Sequence, residues 1–110
     1  MEHQTTEREG NLVVAFTGDV DLQSSPDARK ALLDAVGQGK NVLVDLSGVG
    51  YIDSSGVASL VESLQTARKS GGTLGLAAVS EGALRVLQLA RLDKVFTIHD
   101  TVEQGLADLG

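Results

Sequence analysis

Apolar and polar positions follow two different periods along this chain. Asn11 to Thr17 (NLVVAFT) is a run of β-branched and aromatic residues between Gly10 and Gly18, and it predicts a strand. Val42, Leu43, Val44 and Leu46 form a nearly continuous apolar run, as in a strand covered on one or both faces. Thr73 to Val79 (TLGLAAV) and Lys94 to His99 (KVFTIH) predict two more strands. Between these runs the spacing lengthens. Ala28, Leu32, Ala35 and Val36 fall on one helical face, and so do Val57, Leu60, Val61 and Leu64. Val102, Leu106 and Leu109 give one face of a short last helix.

Residues that start and stop helices sit at the joints. Ser25, Pro26 and Asp27 read as N-cap, N1 and N2 of a helix over 26–37 that ends near Gly37 or Gly39. Asp53, Ser54 and Ser55 are all good N-cap residues for a helix over 55–70, which Gly71 and Gly72 stop. Ser80 caps a third helix over 81–90, and Asp100 with Glu103 resembles a capping box for a fourth over 101–109. Strands are expected at 11–17, 42–46, 73–78 and 95–98. Residues 1–9 are polar, either a frayed tail or a weak edge strand. A turn at Glu9-Gly10-Asn11 would let residues 3–9 pair back as the first arm of a hairpin. The outer face of helix 55–70 is expected to carry Ser59, Glu62, Ser63 and Thr66, as a solvated face or one that meets a partner. The order β(β)αβαβαβα predicts an α/β fold: a mixed, mostly parallel sheet of four to five strands with about four helices.

With 110 residues, the simplest expectation is one domain over 1–110. Only 3% of residues are aromatic, so the core must come from Val, Leu, Ile and Ala. The absence of cysteine excludes disulfides, thiolate metal sites and cysteine nucleophiles. A net charge of −6 argues against binding a nucleic-acid backbone. No apolar run approaches a membrane span, and MEHQTTERE lacks the pattern of a signal peptide. The expectation is a cytoplasmic domain without direct membrane insertion.

Candidate chemistry centres on residues 48–56. Gly48-Val49-Gly50-Tyr51-Ile52-Asp53 begins like G-x-G-x-x-G, but Asp53 stands where the last glycine is wanted and would repel a pyrophosphate. Ser54-Ser55-Gly56 resembles a nucleophile elbow, yet Ile52 replaces its upstream glycine, and neither His3 nor His99 is an evident base. Asp19, Asp21, Asp45 and Asp53 could gather at one end of a parallel sheet and hold magnesium. On spacing alone they read as solvated loop residues and a cap. On residue chemistry alone Ser54 reads as a helix cap.

The run Val42 to Val61 (VLVDLSGVGYIDSSGVASLV) resembles the signature of the STAS domain family, the anti-sigma factor antagonists. In that family a strand ending in Asp-Leu-Ser leads through a loop to Asp-Ser-Ser/Thr-Gly and a helix. Gly18-Asp19-Val20-Asp21 is similar to the family's G-x-hydrophobic-Asp, and Val86 to Phe96 resembles its third helix and following strand. The resemblance implies a fold with helices largely on one face and a first strand antiparallel to the second. It implies phosphorylation at Ser54, and a partner surface at Asp21, Asp53, Ser54, Ser55, Gly56 and Ser59.

The implied partners are an anti-sigma factor that is also a serine kinase of the GHKL type, and a PPM-type serine phosphatase. The implied protein is not an enzyme and holds no metal or cofactor. The alternative is a STAS accessory subunit of a lipid ABC transporter, where threonine commonly stands at the position of Ser54. An enzyme or nucleotide binder is a third reading.

Overall fold

Glu9 and Gly10 both take positive φ, 56° and 81°, and reverse the chain in two residues. The turn makes a hairpin of β1 (Glu2–Arg8) and β2 (Asn11–Thr17), antiparallel from Glu2↔Thr17 to Arg8↔Asn11. Of the two alternatives for the N-terminal residues, the strand is the one that forms. The coordinates are a computed structural model describing residues 1–109; Gly110, the last residue of the predicted domain, lies outside the described residues.

The remaining elements alternate: α1 (Ser25–Val36), β3 (Val42–Gly48), α2 (Ser54–Lys69), β4 (Leu74–Ala77), α3 (Glu81–Leu89), β5 (Ile98–His99) and α4 (Val102–Leu109). The sheet order is β1-β2-β3-β4-β5, parallel everywhere except at the β1–β2 pair. β3 is central, as its apolar run requires. β4 and β5 are shorter than expected. Ala78 turns away with φ of 51°, and the amides of Val95 and Phe96 donate back to Leu92 O instead of joining a ladder. Phe96 still buries its ring in the core.

Alternation along the strands divides the core between two faces. Leu12, Val14 and Phe16 of β2 and Val42, Val44 and Leu46 of β3 face α1, α2 and α3. Val13, Leu43 and Ala77 face the other way and pack against Leu106 of α4. Three helices on one face and one on the other fit the expected arrangement.

Three local expectations need correction. Ser24, not Ser25, is the N-cap of α1; Ser25 is buried as the first helical residue, and Pro26 follows it. The Ser24 hydroxyl makes no capping bond to the helix; it accepts the Asp21 N–H at 2.9 Å instead. At α4, Thr101 Oγ1 accepts the Gln104 N–H at 3.0 Å, so Asp100 forms no capping box, and Glu103 reaches Arg8 at 3.7 Å instead. The third correction concerns α2. Ser59 and Ser63 are 7% and 0% exposed, not on an outer face. Their hydroxyls donate to Ser55 O at 3.1 Å and Ser59 O at 2.7 Å, so burial leaves them satisfied. Arg29 of α1 bonds Glu62 of α2 at 2.7 Å, which turns this side of α2 toward α1. Small side chains there let two helices approach closely.

Candidate functional site

The site is built where two loops are tied together. After β3, Val49 and Ile52 are buried while Tyr51 stays 51% exposed. A single bridge joins Ile52 to Val20 in the loop between β2 and α1. Val20 N–H donates to Tyr51 O and Asp53 N–H donates to Val20 O, each at 3.0 Å. The bridge fixes where α2 begins.

Gly56 is required by that packing. A β-carbon on it would lie 2.6 Å from Ile52 Cγ1 and 2.8 Å from Val20 Cγ1. The start of α2 therefore rests directly on the bridge.

Asp53 is the N-cap of α2, with an extended backbone. Its Oδ1 accepts the Ser55 N–H at 2.9 Å, the Gly56 N–H at 3.2 Å and the Ser55 hydroxyl at 2.5 Å. The Ser55 hydroxyl is the main reason its carboxyl titrates below the ordinary range. Desolvation opposes this, and the amides of Gly56, Ser55 and Leu22 add to it. Ser54 is the first residue of α2. It is exposed, and its hydroxyl makes no hydrogen bond among the described residues. Asp53 thus supplies the cap, and Ser54 does not. The two serines are chemically distinct: one hydroxyl is committed to Asp53, and the other is free at the surface.

Asp53, Ser54 and Ser55 come together. Asp21 lies half-buried in the facing loop, its Oδ1 accepting from Gln23 N and Ser24 N at 3.1 Å each. Gly56 and Ser59 are buried beneath, against the expectation of one exposed surface. Asp45 accepts the Ser47 N–H at 2.9 Å; like Asp21 and Asp53, it serves the backbone. His99 Nδ1 lies 2.9 Å from Asp108 on α4, across the sheet from α2. His3 stands beside Phe16 at the β1 edge, with ring centroids 6.2 Å apart.

Two large side chains that sequence reasoning did not single out, Leu22 and Tyr51, are exposed at 75% and 51%. Each sits on one of the two bridged loops. In sequence Leu22 and Tyr51 are not distinguished from the buried Val20, Val49 and Ile52 of the same loops, GDVDLQSSPD and SGVGYID.

The profile of the STAS domain matches residues 2–105. The chain belongs to the STAS domain family. An anti-sigma-B factor antagonist of Bacillus subtilis (strain 168) is 29% identical over 100 residues, covering 91% of this chain and 92% of that one. A STAS domain protein from Planctomyces limnophilus, described as an anti-sigma-factor antagonist, superposes with a TM-score of 0.89 at 24% identity over 97% of both chains. The Bacillus cell fate determinant SpoIIAA in its phosphorylated form superposes with a TM-score of 0.76 at 19% identity, covering 99% of this chain and 100% of that one. The two structural likenesses are of fold. No helix among the described residues is long and apolar enough to cross a membrane.

Proposed function

We propose that this STAS protein is an anti-sigma factor antagonist switched by phosphorylation of Ser54. The observation that carries the reading is the free, exposed Ser54 hydroxyl at the first position of α2, beside a cap supplied entirely by Asp53. The name of the Bacillus subtilis relative supports the partner class.

Unphosphorylated, the protein binds an anti-sigma factor that is also a GHKL-type serine kinase, and the sigma factor is released. The kinase transfers the γ-phosphoryl group of ATP to Ser54 Oγ. The hydroxyl proton leaves to a base on the kinase, and ADP departs. A PPM-type phosphatase then hydrolyses the phosphoserine to serine and inorganic phosphate. The antagonist itself acts as a binding module.

Asp53, Ser54 and Ser55 form the centre of the partner surface, flanked by Leu22, Tyr51 and Asp21. Gly56 acts from below by seating α2 on the bridge, and Ser59 lends no exposed surface. Phosphorylation adds about −1.5 to −2 charges. The α2 dipole offsets part of that, by roughly 1 kcal/mol at most at an exposed position. In a complex the same group is desolvated next to Asp53, and an imperfectly paired buried charge costs several kcal/mol. Release therefore needs no large conformational change.

The test is capture of the partner from the native cell on immobilised protein, followed by incubation with that partner and ATP. Mass spectrometry should find one phosphate, on Ser54. A partner that is a transporter permease, with no phosphate on either serine, would replace this reading with the transporter-subunit one.

A further inference from the structure

We propose that the first turn of α3, through Ser80 and Gly82, is the positioning element for the loop that presents Asp53 and Ser54. The loop over 49–53 has two sides. Val20 bridges one side. The N-terminus of α3 holds the other.

Ser80 makes two bonds there. Its Oγ accepts the Ala83 N–H at 3.2 Å, which caps α3, and its hydroxyl donates to Val49 O, thirty-one residues away. A cap needs only the first bond. The second ties the helix start to the loop. Gly82 adds a steric contact: a β-carbon built on it would overlap Gly50 O. Ala83 and Val49 beside these contacts are both 0% exposed, so the joint lies in the packed interior. Movement of α3 must therefore reach Val49 and Gly50, and through them Asp53, three residues on.

Asp53 holds its place in α2 by hydrogen bonds whose geometry depends on that loop path. Its titration thus reads the loop position. Asp19 and Asp21 in the bridged loop and Glu81 on α3 are charged side chains on the two elements packed against this loop. What Ser54 does with its position rests on the proposed function. Asp53 titration does not, so failure of one reading leaves the other standing.

The experiment is carbon-detected NMR of the Asp53 carboxyl across a pH titration, with amide exchange at Ser55 and Gly56. Ser80→Ala should raise the Asp53 midpoint toward the ordinary aspartate value and speed exchange at both amides several-fold. Ser80→Thr, which keeps the hydroxyl, should leave both near the native values. Gly82→Ala should act like Ser80→Ala; if it fails to fold, the Ser80 pair decides. Leu106→Ala, on the opposite face of the sheet, lowers stability without touching the joint and should leave the Asp53 midpoint unmoved. An unchanged Asp53 in Ser80→Ala, or an equal change in Leu106→Ala or Ser80→Thr, would overturn the proposal.

Discussion

Ser55 Oγ lies 2.5 Å from Asp53 Oδ1, and the same carboxylate oxygen accepts the Ser55 backbone N–H at 2.9 Å. Two adjacent serines therefore have unlike chemistry. Ser55 is bound twice to the cap, while Ser54 presents a free hydroxyl to solvent. Phosphoryl transfer to the Ser55 hydroxyl would first have to break its bond to Asp53, whereas the Ser54 hydroxyl has no such bond to break.

The first prediction follows from that difference. Ser54→Ala removes a solvated hydroxyl, so its stability should stay within about 0.5 kcal/mol of the native protein. Ser55→Ala removes a hydrogen bond to the capping carboxylate and should cost more than Ser54→Ala. Urea denaturation monitored by circular dichroism measures both. Equal losses would mean that Ser54 contributes to the cap after all.

The second prediction concerns pH. Asp53 titrates below the ordinary value in the folded protein, chiefly because the Ser55 hydroxyl bonds the ionised form. A carboxyl depressed on folding contributes stability that is fully present above its unfolded value, about 3.9 for aspartate. That contribution is lost as pH falls through the folded value. Asp53→Asn keeps a side chain that caps helices well but does not titrate. The native protein should exceed Asp53→Asn in stability at neutral pH, and the gap should close below about pH 4. Denaturation at a series of pH values checks this; a gap independent of pH would show that the carboxylate charge is not what the amides and hydroxyl hold.

How far the site was legible depends on which residues carry it. β2, β3 and the inner faces of α1 and α2 were legible because Val, Leu and Ile recur there at strand or helix spacing. The Asp53-Ser54-Ser55 start of α2 was legible because all three are capping types. Which of the three caps was not, since the choice lies in backbone geometry: Asp53 alone is extended ahead of the helix. Ser59 and Ser63 misled because a serine that returns its hydroxyl to its own helix is as buriable as alanine, yet counts as polar in any pattern. β5 shrank because Leu92 holds the amides of Val95 and Phe96 in a turn, a contact with no periodic signature.

Burial of Ser59 decides the effect of Ser59→Arg. With Ser59 only 7% exposed, on the side of α2 turned toward α1, an arginine must overpack the helix pair or force it apart. It should destabilise by at least about 1–3 kcal/mol. Tyr51→Ala and Leu22→Ser should instead leave thermal stability nearly native and weaken partner capture, because both side chains are largely in solvent. Calorimetry together with titration of the captured partner separates the two cases. Native-like stability in Ser59→Arg would contradict the packing described for α2. Native affinity in both loop variants would remove Leu22 and Tyr51 from the surface.

The last prediction is the switch. Ser54→Ala should bind the captured anti-sigma factor and stay bound when ATP is added, giving constitutive sigma activity. Ser54→Asp should bind less well than the native protein, though it carries less charge than a phosphate and mimics one incompletely. The fully phosphorylated protein should lose at least a hundredfold in affinity, about 2.7 kcal/mol. That loss is well within the cost of desolvating a second negative group beside Asp53, whose hydrogen-bonding capacity on Oδ1 is already committed to Ser55 and Gly56. Phosphorylation should also leave the fold intact, since Ser54 lies outside the core and its new charge faces the positive end of α2. Thermal melts of the two forms, run beside the binding titration, measure both halves. A phosphorylated form that melts far below the native one would make local unfolding the cause of release. A phosphorylated form that binds as tightly as the unmodified one would remove Ser54 as the switch.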